Sequence, residues 1–203
     1  MLVAIFAGIA AGAAAIYAAT KLMKPSFTMA ISSHDKNKVL TLLPAIDEWP
    51  IVELDGVKFR VAPKYIPHVG IQEAADIAAA NGMELPTKKL VDAIWNAADL
   101  KIEPQQPTLK KFDFAEMNSD ATVAEHAAKN DKQIAGRSFK LLAGTHKDVV
   151  RDFHNGRMVN GIYGWHRLNG KPIQDFPSLH IQGNAVTSEH KDYSQGLRMV
   201  KKV

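Results

Sequence analysis

The 203-residue chain contains no cysteine. That removes a thiol nucleophile, a disulfide framework and any cysteine-ligated zinc site. It leaves the redox compartment open, because a cysteine-free chain tolerates oxidising and reducing surroundings alike. Other signatures are missing too. There is no His-Glu-x-x-His pair, Gly-x-Ser-x-Gly elbow, P-loop, dinucleotide-binding glycine fingerprint, EF-hand loop or internal repeat. Dense Lys/Arg clusters with interleaved aromatics are also lacking, which argues against nucleic-acid binding. Charge itself is absent from Met1 to Thr20.

What is present is ordinary for a globular protein: 46% hydrophobic and 23% charged residues. The net charge of +4 is uneven. Residues 1–100 carry 9 Lys+Arg against 10 Asp+Glu, so −1, and residues 101–203 carry 16 against 11, so +5. A basic second half suits a solvated surface, an acidic polymer or a lipid surface.

The uncharged start reads as a transmembrane helix over residues 3–20, since some 20 helical residues cross a bilayer core of roughly 30 Å. Leu2, Val3, Ile5, Phe6, Ile9 and Ile16 supply the apolar surface, Tyr17 sits where an interfacial aromatic would, and Lys21, Lys24 and Pro25 close the segment. A cleavable signal peptide ending near Ala18 and a buried helix are the competing readings; the missing basic n-region favours an uncleaved anchor. Gly8 and Gly12 form a Gly-x-x-x-Gly row of the kind that supports self-association in lipid. The expected organisation is an anchor over 1–24 and one soluble domain over 25–203, with single-pass placement in a cell envelope or virion membrane.

The fold class expected for the domain is α+β, with helices in the middle and a strand-rich C-terminal third. Asp55-Gly56 separates Ile51–Leu54 from Val57–Val61 and predicts a hairpin. Residues 71–81 predict a short helix stopped by Gly82. Thr87 predicts the cap of a helix with Leu90, Val91, Ile94, Trp95 and Ala98 on one face, Trp95 belonging to the core. Residues 101–116 form a linker-like strap. Residues 119–135 predict a polar helix with Val123, Ala124, Ala127 and Ile134 inward and His126 in solvent. The remainder reads as strands broken by glycines, at 139–143, 148–153, 158–166, 178–181 and 197–200.

Six of the eight histidines fall between His126 and His190. The densest polar groups are Thr145-His146-Lys147-Asp148, Tyr163-Gly164-Trp165-His166, His180 and His190 to Ser194. Imidazole and carboxylate together can ligate a metal, zinc above all, or act as a general base with its orienting acid. The catalytic candidates are therefore His166, His180, Asp148 and Asp192. Arg198 is a candidate for holding an anionic group of a substrate, with Trp165 and Tyr193 beside it as substrate-binding candidates.

These same segments carry a resemblance. Gly144–Val150, Ile162–His166, Gly170–Gln174, His180 and Asp192–Arg198, with Leu85–Thr87 and Val91–Trp95, resemble a family of uncharacterised bacterial and phage proteins across most of residues 50–203. The family's ending has histidine where this chain has Gln195, and the stretch between His180 and Asp192 is longer here. The resemblance implies kinship without an activity. His180 and Ser194–Met199 are also similar to the last catalytic motif of L,D-transpeptidases, but without its cysteine, so no thioester can form. Two functions follow as expectations. One is a hydrolase acting on peptidoglycan. The other is a non-catalytic structural or binding protein of a membrane or phage virion.

Overall fold

The computed structural model describes residues 36–111, 113–175 and 191–203. The described part begins with α1 (Lys36–Thr41) and a single 3-10 turn (Ile46–Glu48). The hairpin β1 (Ile51–Leu54) and β2 (Val57–Val61) follows, pairing Leu54 with Val57 around Asp55-Gly56. Both turn residues have positive φ, 51° and 76°, the geometry that matches the strand twist. After β3 (Ile66–Pro67) come α2 (Ile71–Ala80) and α3 (Lys88–Ala97). Thr87 caps α3, its hydroxyl accepting from the Leu90 N–H at 3.2 Å. Then come β4 (Leu100–Lys101), a strap, α4 (Phe114–Met117) and α5 (Asp120–Ile134), the last capped by Ser119. The C-terminal strands are β5 (Leu142–Ala143), β6 (Lys147–His154), β7 (Arg157–His166), β8 (Pro172–Gln174), β9 (Gln195–Leu197) and β10 (Val200–Lys202).

These strands make three small sheets, ordered β1-β2-β10, β3-β9-β6-β7-β8 and β4-β5. The central five-stranded sheet is covered on both faces. On one, Val149 and Ile162 pack with Ala74 and Ala78 of α2. On the other, Val150 and Tyr163 meet Val91 of α3. The adjoining flank of α3, with Leu90, Ile94 and Trp95, packs on Val52, Val61 and Val200 of the first sheet. One amphipathic helix thus serves as the layer between two sheets.

The fold-class expectation of an N-terminal transmembrane helix is corrected. Among the described residues, no helix is long and apolar enough to cross a membrane. The longest, α5, has 15 residues and carries Asp120, Glu125, Lys129, Asp131 and Lys132. At about 1.5 Å per residue it falls short of a roughly 30 Å core. Single-pass membrane placement is withdrawn with it. Residues 3–20, Gly8 and Gly12 lie outside the described residues, as does the strand expected at 178–181. What stands is an α+β architecture.

Gly144 shows how tightly the sheets are joined. Its φ is +95°, and an added Cβ would lie 2.1 Å from the Ile102 carbonyl oxygen. Gly136, at φ +73°, has open space around it. Gly136→Ala should cost about 1 kcal/mol, the ordinary left-handed penalty. Gly144→Ala should cost at least about 2 kcal/mol more, since backbone must move. Urea midpoints of the two variants, at equal m-value, check the difference.

Candidate functional site

Five of the six described candidate residues are linked by contacts running from Arg198 to His126, and the sixth, His166, pairs with a carboxylate of α3. The contacts begin at Arg198, where the chain passes from β9 into β10. Its guanidinium is wholly buried, at 0% exposure. It donates to the carbonyl oxygens of Ala62 (2.6 Å) and Leu142 (2.5 Å). Its carbon lies 3.9 Å above the Tyr65 ring centre, and its Nε is 3.8 Å from Asp148 Oδ1. Asp148, on β6, takes the Tyr65 hydroxyl on its other oxygen at 2.7 Å. Burial raises the Asp148 carboxyl to about 7, against the opposing pull of Arg198 and the Tyr65 hydroxyl.

Next to this triad lies His146, whose ring is 5.4 Å from Tyr65 and 5.0 Å, edge-on, from His126 of α5. Its Nδ1 is buried with no hydrogen-bond partner. Burial holds it well below the usual imidazole range, and His126, Arg198 and His68 add to that. His126 was expected in solvent and is 1% exposed. It meets the amide of Asn130 at 3.2 Å and bonds the Tyr193 backbone. Burial pulls it down to about 4, against the raising effect of Asp192.

Trp165 and Tyr193 pack beside His126, at ring separations of 6.0 and 5.2 Å. Trp165 holds a left-handed φ of 53° directly after Gly164 at 92°, and its Nε1 is buried without a partner. Asp192 accepts from the Ser194 N–H (2.7 Å) and hydroxyl (2.6 Å) and pairs with Lys147 Nζ at 3.1 Å. Burial pushes its carboxyl up, but Lys147 and Ser194 outweigh that and leave it below its ordinary value. The segment Asp192–Arg198 is thus a turn and a strand locked inside the molecule.

His166 pairs with a different carboxylate from Asp148 and Asp192. Its Nε2 is 2.8 Å from Asp92 Oδ1 of α3, and its ring stacks on Trp95 at 5.2 Å. The Tyr163 hydroxyl donates to the same Asp92 oxygen at 2.9 Å. The usual order of a catalytic dyad is reversed: the imidazole is 4% exposed and the carboxylate 47%. Burial lowers His166, against the raising effect of Asp92. His180 lies outside the described residues. Among those described, no group of three or more His, Asp or Glu is placed to hold a metal ion.

Tyr65, Asp92 and His126 are the partners that sequence reasoning did not assign. Asp92 offered a signal, being one position from the inward Val91 and four from Lys88. Tyr65 offered none, because its partners are 83 and 133 residues further on. No family model matches the chain, and neither does any curated protein or solved structure.

The buried imidazoles have a measurable consequence. The folded-state value of His126 lies below its unfolded one. Its contribution is therefore complete above about pH 6.5 and is lost as pH falls toward 4. The size is on the order of 3 kcal/mol. Asp148 runs the other way, its contribution being lost as pH rises from about 4 to 7. His126→Gln removes the first dependence and keeps the second. Its melting temperature should gain on the wild type steadily between pH 7 and 4; a constant difference across that range would contradict the assignment.

Proposed function

We propose that the protein is a non-catalytic structural or binding protein and, on the resemblance of its C-terminal signature to proteins of bacteria and phages, one that works in a virion. One observation carries this. All six described residues with the chemistry for catalysis or substrate binding (Asp148, Trp165, His166, Asp192, Tyr193 and Arg198) are buried in the interior. A hydrolase needs its acid and base within hydrogen-bond reach of the substrate. Here the polar side chains are turned toward one another and toward backbone carbonyls, which is what a fold built on interior polar contacts requires. These six residues of the signature are then residues of the fold.

The hydrolase reading keeps one observation in its favour: the half-exposed Asp92 carboxylate, oriented by two donors on one oxygen and placed on a rigid helix. A single assay separates the two. In a renaturing gel cast with purified peptidoglycan, the full chain should leave no cleared band. Asp92→Ala should lower stability by about 1–3 kcal/mol by orphaning the buried His166, and His166→Ala by a similar amount through the packing lost against Trp95. A cleared band that either substitution abolishes, with the fold intact by circular dichroism, would overturn the proposal in favour of a peptidoglycan hydrolase.

A further inference from the structure

We propose that the tip of the β6–β7 hairpin is a wedge that docks the protein on an anionic lipid surface. This deepens the binding reading above and rests on it. The hairpin turns at Asn155-Gly156, with φ of 49° and 75°, and pairs Phe153 with Met158 and His154 with Arg157. Side chains alternate across a strand. Phe153 and Arg151 therefore share the face of Val149, and Met158 that of Ile162. Val149 and Ile162 are covered by α2, whereas Phe153 is 68% and Met158 44% exposed. Past the helix, the polar pair Arg151–Asn160 interrupts this face, which then ends in two uncovered apolar side chains directly opposite each other.

Charge selects the occupant. Arg151 and Arg157 are exposed within the same tip, and Lys89 is exposed on the first turn of α3. That turn is joined to the hairpin by Asp152, the one acid of the tip. Its carboxylate is turned inward onto the backbone N–H groups of Lys88 (2.9 Å) and Phe153 (2.8 Å). The tip therefore presents an apolar pair with Arg151 on the same face and Arg157 on the other side of the ribbon. The area is wrong for a second protein. Two side chains offer at most a few hundred Å², whereas a stable protein interface buries about 1,200 Å² or more. A lipid surface needs no such area, because a shallow apolar insertion and a few basic residues add their contributions.

The absence of cysteine allows a local readout in the full chain. An environment-sensitive dye on Asn155→Cys reports on the hairpin alone, whatever the N-terminal residues do. On vesicles containing phosphatidylserine its emission should shift to the blue, and much less on neutral phosphatidylcholine. Phe153→Ser with Met158→Ser should weaken the dye-reported affinity about tenfold or more. Arg151→Gln and Arg157→Gln should weaken it about fivefold each. All four residues are on the surface, and circular dichroism should be unchanged. Emission that stays water-like on anionic vesicles would overturn the wedge, as would a shift that survives the Phe153/Met158 double substitution. A shift that appears without vesicles and grows with protein concentration would replace lipid by a second copy of the chain. Peptidoglycan clearing is read separately, so failure here leaves the non-catalytic reading standing.

Discussion

A single, wholly buried guanidinium sets the terms for the rest of this structure. Arg198 lies where the chain leaves the five-stranded sheet for the three-stranded one. Its donors reach Ala62, just beyond β2, and Leu142 of β5, while Asp148 of β6 and the face of Tyr65 compensate its charge. It therefore touches all three sheets at once. Arginine stays protonated in proteins. An interior that encloses it must supply acceptors at fixed positions, and those positions constrain where the strands can run. Around this point the backbones close in: Ala62 N–H bonds Met199, Leu142 N–H bonds Pro63, and Gly144 sits against Ile102 where no side chain fits.

The polar residues nearby follow from that enclosure. His126 and His146 fill the space between α5 and the Arg198 group, and burial above all disfavours their charged forms. Asp148 is divided between a hydroxyl and an arginine. Asp192 is held by Lys147 and Ser194. A cluster that looks catalytic by residue type is thereby committed to joining elements, and the surface is left to carry binding. Among the described residues, Asp92 and the hairpin tip bring related chemistry to solvent. The first presents an oriented carboxylate, the second an apolar pair among cations.

Local features were legible from the residues. Asp55-Gly56 marked its hairpin, Thr87 its helix cap, and the 3.6-residue spacing of Leu90, Val91, Ile94 and Trp95 the inner face of α3, because each depends on neighbours a few positions away. Residues 139–143 read as a strand five residues long. Only Leu142–Ala143 is one, since the preceding backbone turns onto the Asp99 carboxylate instead. The burial of His126 is not legible in its neighbours on α5, because nothing local shows that His146 and Tyr193 close over it. The pairing of His166 with Asp92 rather than with Asp148 or Asp192 depends on a helix packed across a strand 74 residues away. Residue types picked out the chemistry, but long-range packing decided which groups meet.

The account therefore turns on Arg198 as a strut of the interior. Chemical denaturation of Arg198→Met measures this directly. Removing the cation leaves Asp148 without its partner and two carbonyl groups without donors, which should cost about 3–5 kcal/mol. Replacing both members, Arg198→Met with Asp148→Leu, should recover a substantial part of that loss, because no uncompensated carboxylate remains. An Arg198→Met variant that unfolds at the wild-type midpoint with an unchanged m-value would contradict the account.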